Sequence, residues 1–146
     1  MRLINNLLLA ALLAMSWSTF AAATLEATVY KDPGCGCCGR YISYLEANGF
    51  TVNAVDTADV DAIKDAHHVP FPMRSCHTML IDGYVVEGHV PAAAIHKLLE
   101  SHPKIAGIAL PGMPPTSPGM GPEQPGGLKV YLLGDDDANP QVFSVE

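Results

Sequence analysis

The segment HTMLIDGYVVEGHV, residues 77–90, constrains the fold more than any other part of the chain. Asp82-Gly83 lies between two runs of apolar and strand-forming residues. This dipeptide favours the two-residue turn that joins adjacent antiparallel strands. The segment is therefore predicted to form a β-hairpin, whose two strands run in opposite directions and pair with each other.

The chain before and after this hairpin alternates between strand and helix patterns. The first helix is predicted to end at Asn48-Gly49, and the second has Val60, Ile63 and His67 as its predicted inner face. Strands are predicted at 25–32 and 50–56, helices at 38–47 and 58–68, and a last helix between Pro91 and Pro103. Because strands separated by helices need parallel crossovers, the order β-α-β-α-β-β-α predicts an α/β fold.

This order is the thioredoxin-like arrangement, and a cysteine motif matches it. In thioredoxin-like proteins a C-x-x-C motif lies between the first strand and the first helix, where this chain has CGCC from Cys35 to Cys38. His77-Thr78 takes the place of a Pro-Thr pair at the start of the hairpin. The resemblance implies that Cys76, directly before the hairpin, faces the CGCC turn and that all four cysteines converge.

Residues 1–23 have the features of a cleavable signal peptide. Arg2 gives a positive start, an apolar run too short to cross a bilayer comfortably follows, and Ala21 and Ala23 are small residues of the kind that a signal peptidase recognises. Cleavage after Ala23 is favoured over an uncleaved membrane anchor because polar residues follow at once. We therefore expect an exported protein with no stable membrane insertion after cleavage.

The rest of the chain is predicted to divide into three parts. Residues 24–103 form a thioredoxin-like metal-binding domain, and 104–127 form a Pro/Gly/Met-rich segment that packs on or over the site. Residues 128–146 form a C-terminal β-hairpin around a solvent-exposed acidic loop, Asp135–Asp137. The formal net charge is −7, which argues against nucleic acid as a partner because such partners require a basic surface.

The four cysteines, Cys35, Cys37, Cys38 and Cys76, allow two interpretations that do not involve a metal. An even number in an exported chain is typical of structural disulfides, but such a framework rarely crowds three thiols into one turn. A thiol–disulfide oxidoreductase would use Cys35 as the attacking thiol and Cys38 as its partner, because a helix N-terminus stabilises a thiolate. His77 in place of the usual proline, and two further thiols, weaken this second interpretation.

A metal site agrees best with four convergent thiols. Thiolates are soft ligands suited to Cu(I), zinc or iron–sulfur clusters. Structural zinc sites normally use two closely spaced ligand pairs, and the second half of this site has only Cys76-His77. The neighbouring Cys37 and Cys38 favour sulfurs that each bridge two ions, an arrangement that Cu(I) thiolates adopt readily. The chain is therefore predicted to bind Cu(I) in a multinuclear site.

Other side chains are candidate additional ligands. His77 is the best of the histidines because it follows Cys76, whereas His89 could point toward the site or away from it. Met113 and Met120 lie in a segment with little regular structure, where core methionines are unusual. Thioether sulfur is a soft ligand, so both methionines are candidate ligands or a cover over the cysteines, and loose packing is the alternative.

Three segments together resemble one family of exported proteins. They are DPGCGCCGRYISYLEANGF, VPFPMRSCHTMLIDGYVVEGHVPAAAIHKLL and GIALPGMPPTSPGM. Over residues 26–121 the chain is similar to small copper-handling proteins of the CopG type. The resemblance implies a thioredoxin-like domain, a periplasmic location, a role in copper resistance and a cysteine-bridged copper cluster. It implies Cys35, Cys37, Cys38 and Cys76 as the cluster ligands, suggests other periplasmic copper-handling proteins as partners, and leaves a copper oxidoreductase activity that interconverts Cu(I) and Cu(II) open.

Overall fold

The computed structural model describes residues 24–122, 124, 126–134 and 139–146. The predicted signal peptide, 1–23, and the acidic loop at Asp135–Asp137 lie outside the described residues. The elements are β1 (Leu25–Lys31), α1 (Gly36–Ala47), β2 (Phe50–Asp56), α2 (Val60–Ala66), a short 3-10 helix (Phe71–Met73), β3 (His77–Ile81), β4 (Tyr84–Glu87), α3 (Ala92–Ser101), β5 (Gly107–Ala109), β6 (Lys129–Leu133) and β7 (Val142–Val145). No helix in the described ranges is long and apolar enough to cross a membrane.

The α/β fold and the order of its first seven elements are confirmed. The strands form one seven-stranded sheet in the order β2-β1-β3-β4-β5-β6-β7. β1 and β2 are parallel, whereas β3 and β4 form the predicted antiparallel hairpin. The C-terminal hairpin is also confirmed, as β6 and β7. The thioredoxin-like assignment stays a prediction.

β5 is a strand that the sequence analysis does not predict. It has three residues and lies between β4, to which it is parallel, and β6, to which it is antiparallel. Such a short strand carries no detectable alternation of apolar and polar residues, because that pattern needs at least four positions. β5 joins the C-terminal hairpin to the strands that precede it, so that the sheet is continuous.

The sheet brings four segments of the chain to one of its ends. Lys31, at the end of β1, is in register with His77, at the start of the antiparallel β3. Glu87, at the end of β4, lies at the same end because β4 is antiparallel to β3. Ala109, at the end of β5, is in register with Glu87. The CGCC turn, Cys76, the residues after Glu87 and the Pro/Gly-rich segment therefore meet at what we call the cysteine end of the sheet.

The larger part of the core lies on one face of the sheet, beneath α1 and α3. Tyr41 and Leu45 of α1 and Ile95 and Leu98 of α3 belong to one buried cluster with apolar side chains of the sheet. A smaller cluster, which includes Val85, forms on the opposite face because successive side chains of a strand alternate. Burial of each large apolar side chain contributes about 1.5–3 kcal/mol to stability. The cysteine end of the sheet thus rests on a packed core.

The predicted inner face of α2 leaves out its most deeply buried residue. Val60, Ile63 and His67 are only half-buried, whereas Lys64 is almost completely buried. A lysine is rarely buried unless its ammonium group is paired. Lys64 forms an ion pair with the buried Glu87 at an Nζ–Oε1 distance of 2.5 Å. The periodicity of apolar residues did not predict the burial of Lys64, because that burial depends on a polar partner on another element.

Candidate metal centre

The CGCC turn is shaped by Asp32, which directly follows β1. Its side chain accepts a hydrogen bond from the backbone N–H of Gly34 at 2.7 Å, and its carbonyl accepts one from the N–H of Cys35 at 3.0 Å. Cys35 then occupies the N-cap position of α1. Because Cys37 and Cys38 lie in the first turn of this helix, three sulfur atoms are presented at its N-terminus.

Cys76 completes the sulfur cluster from a different element. Its Sγ lies 3.5 Å from Sγ of Cys38 and 4.0 Å from Sγ of Cys37. Sγ of Cys37 is in turn 3.5 Å from Sγ of Cys35. All four sulfur atoms lie within 4.8 Å of one another. The predicted convergence of the four cysteines is thus observed in the geometry.

Two of the four cysteines form a disulfide. Cys35 and Cys38 are bonded, whereas Cys37 and Cys76 are free thiols. The bonded pair is the one that the oxidoreductase interpretation requires. A metal site that uses all four thiolates requires this disulfide to be reduced first, because a thiolate and not a disulfide sulfur is the strong ligand.

Two buried histidines extend the cluster beyond the sulfur atoms. Cys76, His77 and His89 form a second group whose ligand atoms lie within 4.8 Å of one another. Nδ1 of His77 is 3.4 Å and Nε2 of His89 is 2.9 Å from Sγ of Cys76. The sequence left the direction of His89 open, since the only local signal is its position just beyond the end of β4. In the structure the side chain of His89 points into the site.

A backbone carbonyl determines which nitrogen of His89 can act as a ligand. Nδ1 of His89 lies 2.7 Å from the carbonyl oxygen of Pro118, which can only accept a hydrogen bond. Nδ1 therefore carries the proton of the neutral ring, and Nε2 presents its lone pair to Sγ of Cys76. In metal sites a hydrogen bond of this kind orients the ligand ring and increases its basicity.

Burial favours neutral groups throughout the centre of the site. Burial, with Cys37 close by, raises the pKa of the Cys76 thiol to about 12. Burial, with His89 and Lys64 nearby, lowers the pKa of His77 to about 3, and burial also lowers the pKa of His89. Both imidazoles are then available as neutral ligands, whereas a cation bound to Cys76 must displace the thiol proton.

The Pro/Gly-rich segment contacts both α1 and His89. Nε of Arg40 donates a hydrogen bond to the carbonyl oxygen of Gly119 at 2.8 Å, next to the Pro118 carbonyl that holds His89. Met120 is half-buried beside these residues, and Met113 is 53% exposed. Their roles as ligands or as a cover stay predictions.

We expect a Gly119→Ala substitution to displace this segment from the site. A Cβ atom at Gly119 would lie 2.7 Å from the backbone nitrogen of Tyr41 and 3.1 Å from the carbonyl oxygen of Cys37, and φ is +78°. Neither the backbone contact nor the left-handed conformation suits alanine. The hydrogen bond from His89 to Pro118 should be lost, with a decrease in metal affinity of about tenfold.

Competition with a colorimetric chelator measures the affinity of the Gly119→Ala variant for the predicted ion, Cu(I). Gly127→Ala is the matched control, because a Cβ atom there has only an ordinary contact, 3.6 Å from the carbonyl oxygen of Gln124. Equal metal affinity of the two variants would contradict the role given to the Pro118 contact.

The fold and the site together define a small α/β protein with a sulfur-rich, histidine-flanked centre suited to soft metal ions. Two solved structures, titled copper resistance protein CopG, form 1 and form 2, are each 43% identical to this chain. Each match covers 84% of this chain and 98% of the other, with a TM-score of 0.74. The chain therefore belongs to the CopG family, and the resemblance in the sequence is confirmed.

One further comparison is narrower. A family model described as a protein of unknown function, DUF411, matches residues 73–120. The matched range contains Cys76, His77 and His89 and the contact at Pro118, but not the CGCC turn. Among curated proteins, none matches the chain.

Proposed function

We propose that this protein binds copper as Cu(I) in a multinuclear, cysteine-bridged site and acts in copper resistance in the periplasm. The observation that carries the proposal is the convergence of four cysteine sulfur atoms within 4.8 Å. Thiolates are preferred ligands of Cu(I). The titles of the related structures support copper as the ion, and the signal-peptide pattern of residues 1–23 supports export.

The sulfur geometry supports bridging rather than a single ion. Cys37 and Cys38 are adjacent in sequence, and Cys76 lies within 4.0 Å of both sulfur atoms. One tetrahedral ion would need four sulfurs that all point at one centre, which neighbouring residues of a helix do not readily provide. Sulfurs that are each shared between two ions satisfy several Cu(I) ions with few ligands. His89, His77 and the methionines Met113 and Met120 would serve as additional ligands or as shielding.

Binding of copper to all four cysteines requires the disulfide to be reduced first and the thiols to lose their protons. Reduction of the Cys35–Cys38 disulfide consumes two electrons and two protons and leaves four thiols; a dithiol supplies both as it becomes a disulfide. Each thiolate that then binds Cu(I) releases its proton. The neutral imidazole of His89 binds without losing a proton. A site of sulfur and nitrogen ligands also tolerates Cu(II), so the proposal includes Cu(I)/Cu(II) interconversion, in which each Cu(I) gives one electron to an external acceptor.

An anaerobic titration of the reduced chain with Cu(I) tests the proposal. We expect more than one Cu(I) ion per chain, with thiolate-to-copper charge-transfer absorbance that grows until the site is full. The chain with the Cys35–Cys38 disulfide intact is the control and should bind fewer ions, because two ligands are blocked. Binding of no copper by the reduced chain, or of a single ion, would contradict the proposed site.

The alternative function is that of a periplasmic thiol–disulfide oxidoreductase. The disulfide between Cys35 and Cys38 favours it, since Cys35 is half-buried at the N-terminus of α1 and Cys38 is buried behind it. This function predicts turnover of a model disulfide substrate that persists in a Cys37→Ser variant. The copper function predicts instead that Cys37→Ser lowers the number of Cu(I) ions bound.

A further inference from the structure

A buried polar network lies directly behind the cysteine site. The side chains of Lys64 and Glu87 are 3% and 0% exposed, and their charged atoms are 2.5 Å apart. Nζ of Lys64 also donates to Oγ1 of Thr78 at 3.0 Å, and Oγ1 of Thr78 donates to Oε2 of Glu87 at 2.7 Å. The three side chains come from α2, β4 and β3, so that the network joins three elements at the cysteine end of the sheet.

The network also holds the backbone next to a metal-ligand candidate. The backbone N–H of Ser75 donates a hydrogen bond to Oε1 of Glu87 at 2.7 Å. Ser75 directly precedes Cys76, which is the only one of the four cysteines that lies outside the CGCC turn. The position of the Cys76 sulfur relative to the other three therefore depends on where Ser75 is held.

Two further contacts enclose Ser75 on its other sides. Its hydroxyl donates a hydrogen bond to the carbonyl oxygen of Gly112. A Cβ atom at Gly88 would lie 2.7 Å from Cβ of Ser75, which shows how closely the backbone that leads to His89 packs against it. Ser75 therefore lies between the Glu87 carboxylate, the Pro/Gly-rich segment and the backbone before His89.

Fold stability by itself is a weak explanation of a buried ion pair. The free energy needed to remove two charges from water often exceeds the gain from their attraction, and apolar residues of similar volume are often equally stable or more stable. What an apolar pair cannot provide is an acceptor for the N–H of Ser75. The specific contribution of Glu87 is therefore to hold one point of the backbone.

The geometry points to Glu87 as a positioning residue for the copper site, with Lys64 and Thr78 holding its carboxylate in place. Glu87 does not touch the metal. It acts through the N–H of Ser75 to keep the sulfur of Cys76 within reach of Cys37 and Cys38. This role rests on the proposed function. It deepens that function by naming what sets the distance between Cys76 and the CGCC turn.

Two double variants separate the ion pair from the hydrogen bond to Ser75. Lys64→Met/Glu87→Gln removes both charges but keeps a side-chain oxygen that accepts from the N–H of Ser75. Lys64→Met/Glu87→Leu removes both charges and that acceptor. Affinity for Cu(I) is measured anaerobically on the reduced chains by chelator competition, together with the charge-transfer spectrum and the melting temperature. Asp82→Asn, which alters an exposed contact with His102 at the opposite end of the same hairpin, is the control.

We expect the glutamine variant and the control to bind Cu(I) within about threefold of the parent chain. The leucine variant should lose about tenfold or more in affinity, because loss of an outer partner of a metal ligand has effects of this size. Its charge-transfer band should also shift, which a purely structural role would not cause. Equal affinities and spectra in the two double variants would overturn the positioning role.

A metal-free measurement keeps this inference distinct from the copper function. In a Cys35→Ser/Cys38→Ser background only Cys37 and Cys76 remain, with sulfur atoms 4.0 Å apart. Diamide accepts two electrons and two protons as these thiols form a disulfide, whose rate is followed by mass spectrometry. The rate should decrease only in the leucine variant. If the leucine variant alone is slower and the parent chain with all four cysteines binds no Cu(I), the positioning role is supported and the copper function is refuted. Equal rates of disulfide formation in the two double variants would refute the positioning role.

A single substitution covers the case in which the leucine variant does not fold. Thr78→Val removes the hydroxyl that donates to Oε2 of Glu87 and retains nearly the same shape. The carboxylate then loses one of its constraints, and we expect a severalfold lower Cu(I) affinity with an unchanged circular dichroism spectrum. An affinity and charge-transfer band equal to those of the parent would overturn the role of the network.

Discussion

Under the proposed function, replacement of Cys76 by serine is expected to abolish multinuclear Cu(I) binding. The sulfur of Cys76 is the atom that joins the two ligand groups, since it lies 3.5 Å from Sγ of Cys38 and 2.9 Å from Nε2 of His89. A serine hydroxyl has nearly the same size but is a hard, weak ligand for Cu(I). The three remaining thiols all lie in one helical turn. We expect at most one weakly bound Cu(I) ion, with affinity lowered by more than the roughly 10–100-fold that loss of an outer partner of a ligand causes.

Anaerobic Cu(I) titration with charge-transfer absorbance measures the effect of Cys76→Ser. His102→Gln is the control, because His102 is exposed just beyond α3, where its Nε2 lies 3.1 Å from Oδ2 of Asp82 and its ring lies near that of Tyr84. Retention of several Cu(I) ions by Cys76→Ser would remove the basis for a shared sulfur centre. Unchanged turnover of a model disulfide substrate by the same variant would favour the oxidoreductase that uses Cys35 and Cys38.

Replacement of Gly107 by alanine is expected to cause a large loss of stability of the folded chain. Gly107 is in register with Val85 where β5 pairs with β4. A Cβ atom at Gly107 would lie 1.8 Å from the carbonyl oxygen of Val85 and 2.7 Å from its carbonyl carbon. Because these atoms belong to the backbone, no change of rotamer relieves the contact, and the two strands must separate. β5 also joins β6 and β7 to the sheet, so their packing should weaken as well.

We expect Gly107→Ala to lower the free energy of unfolding by about 3 kcal/mol and the melting temperature by roughly 10 °C. Thermal and urea unfolding measure the change. Gly39→Ala is the matched control, since Gly39 is an exposed residue within α1 and a Cβ atom there meets nothing within 4 Å. Alanine at this helical position should stabilise the chain by about 0.5–1 kcal/mol. Similar stability of the two variants would contradict the close approach of β5 to β4.

The hairpin between β3 and β4 shows what a sequence pattern predicts well. Asp82 and Gly83 both have positive φ, +48° and +80°, as the expected two-residue turn requires. This preference depends on two residues and their immediate neighbours, so it is visible in the sequence. The CGCC motif at the start of a helix is predictable for the same reason, because the strand, turn and helix signals lie within a few residues of each other.

Residues whose positions depend on distant partners were predicted less well. Lys64 was not expected in the inner face of α2 because its burial depends on Glu87, a residue of β4. His89 had no defined direction because the Pro118 carbonyl that orients it lies in an irregular segment. The three residues of β5 carry too short a pattern to indicate a strand. In each case the stabilising contact joins segments far apart in sequence.

The sequence by itself determined the α/β element order, the hairpin turn, the presence of four cysteines and the resemblance to the CopG family. Only the tertiary structure decided that Cys35 and Cys38 are bonded, that Cys76 lies 4.0 Å from Cys37, and that His89 faces the same centre. Local conformational preferences act over a few residues and can be read in order along the chain. Distances between ligands depend on strand register and on buried contacts between separate elements, which arise only when the whole sheet has assembled.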